Sequence, residues 1–338
     1  MRTNQQPTIV SPNANDPTPT IVPNHFVTRE GEILLMDGKP YKSIGTNRYN
    51  LLTYSDPTGE FGIRGCANPF TEEDLVTTFD TFESLGITTV RFWLFQKFTK
   101  SGTDLNRFNL VLRLAEERQI KVIPVLENHF EDCTNGGDKT ASWYARDYSQ
   151  PYEGYALSLP EYINTVVPKY KDNPTILMWE IMNEAETDDE EALYIFGDRL
   201  SSQIKSLDPN HLVSLGLSGR KASDALHRQI SFIQTIDVVD YHDYDKDTTS
   251  SPQSLQKRFI DAKETGKPII IGEAGILKKV ENRPELFRRK IADYFGNGGS
   301  VYLIWSYGER WVTNDGYNFD QNDPLAEVVR RTAQEISK

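Results

Sequence analysis

The chain has 338 residues, with 37 Lys plus Arg against 49 Asp plus Glu, a formal charge of -12 at pH 7. No apolar run approaches the roughly 18 residues a membrane helix needs, and 38% apolar with 25% charged residues is an ordinary globular composition, so a helical membrane protein is excluded. The acidic balance argues against nucleic acid or an anionic membrane as partner and suits a neutral substrate.

Residues 1–25 are rich in Pro, Thr and Asn and have no periodicity, so they read as a disordered linker or leader remnant. They lack the apolar stretch of a signal peptide as they stand. Residues 26–338 read as one domain. Residues 26–40 alternate and carry Asp37-Gly38, which predicts a β-hairpin plugging the bottom of a barrel. A helix is predicted over 71–85, with Thr71 as N-cap, Asp74 three residues on and Gly86 just past the end.

From there short β-branched runs alternate with helical stretches. Strands are expected at 42–45, 88–95, 121–126, 176–183, 212–217, 238–242, 268–272 and 301–305. Runs such as VIPVL and PIII are apolar on both faces, as parallel strands buried between layers must be. Leu193, Phe196, Leu200 and Ile204 mark one helix face. Pro252, Pro284 and Pro324 open three more helices. Eight strands alternating with about eight helices imply an α/β fold, a (β/α)8 TIM barrel. A doubly wound sheet is the alternative, but no G-x-G-x-x-G follows any strand.

In a (β/α)8 barrel, chemistry sits at the C-terminal strand ends. Those ends carry Asn47-Arg48-Tyr49-Asn50, Arg91-Phe92-Trp93, Glu127-Asn128-His129-Phe130, Asn183-Glu184, Tyr241-His242-Asp243-Tyr244, Gly272-Glu273 and Trp305-Ser306-Tyr307. Polar or aromatic groups at nearly every rim position converge on one pocket. It would hold two carboxylates, Glu184 and Glu273, the pair that glycoside hydrolysis requires. Arg91 and Tyr244 would favour an ionised Glu273, while desolvation beside His242 would keep the proton on Glu184. Trp305 offers a flat apolar face for a sugar ring and Asn183 a donor for a ring hydroxyl. Trp93, Asn128 and His129 join the candidate substrate-binding set. Trp143, Tyr144, Tyr307 and Trp311 are further aromatic candidates, for which packing is as good a reading as stacking.

Other readings weaken on spacing. His129 and His242 show no H-E-x-x-H pattern, so no metal and no cofactor is expected. Asp243, Asp245 and Asp247 resemble the opening of a calcium loop, but Ser254 stands where the twelfth-position Glu belongs. Residues 186–191 (ETDDEE) read as the solvated first turn of a helix. Gly216-Leu217-Ser218-Gly219 is a near miss for a nucleophile elbow and reads as a loop. Two cysteines, Cys66 and Cys133, exclude a disulfide scaffold; pairing and two free thiols both stay open.

TILMWEIMNE, VDYHDY, PIIIGEAG, YLIWSY and VRFW, in that set of strand ends, resemble glycoside hydrolase family 5 of clan A. The resemblance covers nearly the whole chain from about Phe26. It implies a retaining mechanism, with Glu184 as acid/base and Glu273 as nucleophile, roughly 5–5.5 Å apart, supported by Arg91, Asn183, His242, Tyr244 and Trp305. GTNRYNL, VRFWLF, LENHFEDCTNGG and YKDNPTILMWEIMNE are most similar to the endo-β-1,4-mannanase branch. That branch has Pro-Arg after the acid/base Glu and often Phe after the nucleophile, where this chain has Ala185-Glu186 and Ala274. The expected substrate is therefore a β-1,4-linked polysaccharide, β-mannan first, with a cellulase-like endoglucanase and a non-catalytic carbohydrate-binding barrel as alternatives. A secreted monomer is expected.

Overall fold

The computed structural model describes residues 25–53, 66, 71–218, 223–244, 252–308 and 316–337, with the side chains of 252–254 excepted. Of the linker expected over 1–25, residues 1–24 lie outside the described residues, as do Asp245, Asp247 and Trp311.

Three short strands come first: β1 (Val27–Glu30), β2 (Ile33–Met36) and β3 (Lys39–Pro40), paired antiparallel in that order. The segment expected as one hairpin is thus two. Asp37 and Gly38, both at positive φ (53° and 75°), turn β2 into β3, as a mirror-image hairpin turn demands. Gly31 and Glu32 form the turn between β1 and β2, a dipeptide with a weaker turn signal than Asp-Gly. Val27 and Leu34 point into the end of the barrel and pack with Ile123, Leu177, Met178, Leu212, Ile270 and Leu303. This closes the bottom with apolar surface.

Eight strands follow: β4 (Ser43–Asn47), β5 (Thr89–Trp93), β6 (Lys121–Val125), β7 (Met178–Glu180), β8 (Leu212–Ser214), β9 (Val239–Asp243), β10 (Ile269–Ala274) and β11 (Val301–Ile304). All neighbouring pairs are parallel, in the order β8-β7-β6-β5-β4-β11-β10-β9. Every residue of these strands is buried, which explains their unbroken apolar runs. Between β8 and β9, Asp237 bridges the seam. Asp237 donates its backbone N–H to the Val213 carbonyl (2.8 Å), and its Oδ2 accepts from the Val213 N–H (3.1 Å). Arg29 of β1 (3.2 Å) and Lys205 (3.1 Å) hold the same carboxylate, tying the bottom sheet to the seam.

The helix Glu72–Leu85 has the expected capping box at Thr71 and Asp74, and Gly86 ends it in the left-handed conformation. The helices Pro252–Thr265 and Pro324–Ile336 begin at their prolines, and in Arg283–Gly296 the proline is the second residue. The helix Glu190–Leu207 buries Leu193, Phe196, Leu200 and Ile204. It starts at Glu190 with Asp189 as N-cap, so Glu186 is not in a solvated first turn. Glu186 is buried, 3% exposed, with Oε1 3.5 Å from His129 Nε2. Cys66 and Cys133 form a disulfide, their Cα atoms 5.5 Å apart.

Candidate active site

Arg91 stands in the middle of β5 with no solvent exposure. A guanidinium in such a place needs counter-charge on several sides. Its Nε and Nη2 donate to the two oxygens of Glu180 (2.9 and 2.5 Å), and Nη1 donates to Glu273 Oε1 (2.8 Å). Asn47 and Asn183 supply Oδ1 acceptors at 2.9 Å. Burial works against the Arg91 charge, but Glu180, Glu273 and Asp240 overturn it and hold the group more firmly protonated than usual.

Glu273 is aimed by a β-bulge. Ile271 of β10 pairs with Tyr241 of β9, and Glu273 pairs with His242, leaving Gly272 as the extra residue. The kink turns Glu273 inward, where Tyr244 donates its hydroxyl to Oε2 (2.6 Å). Burial raises the Glu273 pKa above the usual carboxylate value, and His242, Arg91 and Tyr244 oppose that while Glu184 adds to it. Arg91 therefore acts in the expected direction without outweighing burial.

Glu184 follows β7 and adopts a left-handed backbone, φ 49°. Its neighbours are pinned on both sides. Asn183 N–H donates to the Glu127 carbonyl (2.7 Å), and Ala185 N–H donates to the Gly216 carbonyl (2.8 Å). Gly216 itself sits at φ 76°, and a Cβ there would lie 1.8 Å from the Met182 carbonyl oxygen. Only glycine permits that approach, so the near miss for a nucleophile elbow serves to seat Glu184.

His242 joins the two carboxylates. Its Nδ1 is 3.0 Å from Glu184 Oε1 and 3.6 Å from Glu273 Oε2. Burial would lower its pKa, but Glu273, Glu184 and Asp240 raise it to about 9. One oxygen of Glu184, one oxygen of Glu273 and a ring nitrogen of His242 all lie within 4.8 Å of one another. Glu180, Asp240 and His242 form a second such group deeper in the barrel. Both contain ligating atoms, but the oxygens of Glu180 are already committed to Arg91.

The remaining candidates divide. Asn183 is held between Arg91 and Asn128, whose Oδ1 accepts from Asn183 Nδ2 (2.9 Å). Asn128 gives its own Nδ2 to the Asp132 carbonyl (2.7 Å), so its amide is engaged with protein at both ends. His129 Nδ1 pairs with the Tyr144 hydroxyl (2.9 Å). Trp93 is 3% exposed; Phe95 stacks on it at 5.3 Å and the Arg91 guanidinium lies 4.8 Å from its ring centre. Its ring is engaged in packing with both. Trp305 is half-buried and stacks on Tyr49 at 5.5 Å. Trp143, Tyr144 and Tyr307 are buried among other aromatic rings.

Glu180 and Asp240, the layer beneath the two carboxylates, are not among the residues expected from the sequence; Asn47 stood at a strand end but without its role as a partner of Arg91. One signal was available: an arginine inside the apolar strand TVRFW requires a buried acid within reach, and Glu180 is one of two acids in the WEIMNE run, two strands away across β6.

The chain is similar to known proteins along most of its length. A family model described as cellulase (glycosyl hydrolase family 5) matches residues 52–310. The mannan endo-1,4-beta-mannosidase A of Podospora anserina is 25% identical, over 88% of this chain and 87% of that protein. The mannan endo-1,4-beta-mannosidase 7 of Arabidopsis thaliana is 26% identical, over 92% of this chain and 85% of that one. A solved endo-1,4-beta-mannanase from Rhizomucor miehei superposes with a TM-score of 0.73 at 24% identity, covering 92% and 99%. With a matching model that spans well over half the sequence, a barrel of the same fold, and two acids meeting at its mouth, the chain belongs to glycosyl hydrolase family 5.

Proposed function

We propose that the chain hydrolyses a β-1,4-linked polysaccharide, β-mannan first, by double displacement with Glu273 as nucleophile and Glu184 as acid/base. One spacing supports the reading: oxygens of the two carboxyls approach within 4.8 Å. That is near the roughly 5–5.5 Å of retaining enzymes and below the roughly 6.5–9.5 Å that an inverting enzyme needs to fit a water.

In the first step Glu273 attacks the anomeric carbon as Glu184 gives its proton to the leaving oxygen, and a glycosyl ester forms on Glu273. In the second step Glu184 takes a proton from water, whose oxygen attacks the same carbon and frees Glu273. Arg91 and Tyr244 hold the Glu273 oxygens in line, and His242 fixes Glu184 beside them. Trp305 is the sugar platform.

The two relatives whose names specify mannan support β-mannan as substrate. The matching family description, cellulase, favours β-1,4-glucan as the second reading. Because the disulfide is typical of oxidising compartments, we also assign the chain to the secreted enzymes.

The test is reducing-sugar release from mannan, glucomannan, carboxymethyl cellulose, xylan and β-glucan, with Glu273→Ala as blank. Mannan should lead, and the first product should keep the β configuration by proton NMR. Wild-type turnover in Glu273→Ala would overturn the roles. Longer oligosaccharides among the products would mark transglycosylation, and binding without release a lectin-like barrel.

A further inference from the structure

Four carboxyl groups surround two buried cations at the barrel mouth. Glu180, Glu184, Asp240 and Glu273 are linked to Arg91 and His242 by contacts no longer than 4.8 Å. If all six were charged, two negative charges would be left over in a space shielded from water. Such an excess is costly, and protons remove it.

Hydrogen bonds assign those protons. Glu180 accepts twice from Arg91 and is a carboxylate. Glu273 accepts from Arg91 and Tyr244 and is the other. That leaves Glu184, the acid of the function proposed above on which this step rests, and Asp240. We infer that Asp240 is a positioning residue that stays a neutral carboxylic acid beneath the catalytic pair, keeping the positive charge of His242 directed at Glu184 and Glu273.

The local geometry supports this. Asp240 Oδ2 and His242 Nε2 face each other at 3.9 Å, too far for a hydrogen bond, and neither has a hydrogen-bond partner among the described residues. A carboxylate beside a buried imidazolium would close that gap. Asp240 Oδ1 accepts the Gly272 N–H at 3.0 Å, and a Cβ on Gly272 would lie 2.5 Å from that oxygen, so the pocket is cut to this side chain.

The groups facing Asp240 come from every side. His242 lies on its own strand, Glu180 on β7, Arg91 on β5 and Glu273 on β10. His227, of the helix Asp224–Phe232, lines the same small cavity, and Tyr294 approaches from the helix Arg283–Gly296. Burial raises the Asp240 pKa to about 7 and Glu180 adds to the rise, while His242 and Arg91 oppose it.

The experiment compares the full chain with Asp240→Asn, a neutral amide of the same shape, by thermal unfolding from pH 4 to 8.5. An acid with a raised native pKa loses stability as pH climbs from about 4 through 7. Wild type should therefore lose ground to the variant over that interval, by a few degrees in Tm. If the variant instead lost ground to wild type, or the difference stayed flat, Asp240 would be an ordinary carboxylate and the inference would fail. Failure of the variant to fold would overturn it too, since a neutral side chain is what the inference requires there.

The second readout is kcat/KM against pH on an aryl β-glycoside. A neutral Asp240 puts no charge beside Glu184, and neither does its amide, so the alkaline limb of wild type and variant should coincide. A limb displaced downward by about one pH unit in the variant would show that Asp240 is ionised and would overturn the inference. An inactive wild type would count against the proposed function, and the unfolding comparison would still decide the protonation of Asp240.

Discussion

Arg91 and Glu180 form a two-pronged ion pair with no exposure of either side chain. Removing one partner of such a pair leaves a buried charge uncompensated, at a cost of about 3–5 kcal/mol. Glu180→Gln should therefore lower unfolding free energy by about that amount in a denaturant titration. It should also cut kcat by about a hundredfold, because Arg91 aligns Glu273 and Asn183 from the position Glu180 gives it. A stable variant with full activity would show that Glu273 and Asn47 suffice to hold Arg91.

Stability should depend on pH through two histidines of opposite sign. His242 has a native pKa of about 9 against 6.5 for the free side chain. Its contribution is complete below pH 6.5 and is lost as pH rises through 9, up to about 3 kcal/mol. His227 is buried, beside Arg258, and falls to about 3. It must stay neutral to remain folded, so it removes stability as pH falls from 6.5 towards 3. Asp240 opposes that acid arm between about pH 4 and 7. The decisive measurement is the difference between wild type and His227→Gln, which should grow in favour of the variant below pH 6. Parallel curves would mean that His227 is charged in the fold.

The disulfide Cys66–Cys133 closes a separation of 67 residues. Loop-closure entropy for that length comes to about 4 kcal/mol. Cys133→Ser, or reduction with dithiothreitol, should lower the denaturant midpoint correspondingly without changing the substrate range. Equal midpoints with and without reductant would mean that the native contacts alone restrain both segments. Cys133 directly follows Asp132, whose carbonyl holds the Asn128 amide, so a modest loss of kcat should accompany the loss of stability.

What the sequence made legible followed from rules that act locally. Parallel strands buried on both faces are largely apolar, so runs such as VIPVL and PIII stood out. Thr71, Asp74 and Gly86 marked both ends of one helix because a cap is a three- or four-residue device. Strand ends then listed the rim of the barrel. The pairing of Cys66 with Cys133, the inward turn of Glu186 and the place of Asp240 were hidden, because each depends on which parts of the chain the fold brings together. The Gly272 bulge was hidden for a related reason: it is a mismatch between two strands and has no signature in either one.

Trp93 and Trp305 looked alike as candidates, both aromatic and both at strand ends, and the fold separates them. Trp93 is enclosed by Phe95, Arg91 and Tyr49. Trp93→Ala should cost about 3–5 kcal/mol of stability, as loss of a large core ring does. Trp305 is half-buried, backed by Tyr49. Trp305→Ala should leave stability nearly intact and raise KM for the polysaccharide by about tenfold, since aromatic stacking of this kind is worth on the order of 1 kcal/mol. Calorimetric unfolding and Michaelis kinetics on the same two variants check both. If Trp305→Ala unfolded early while Trp93→Ala lost only substrate affinity, the sugar platform would belong to the deeper ring.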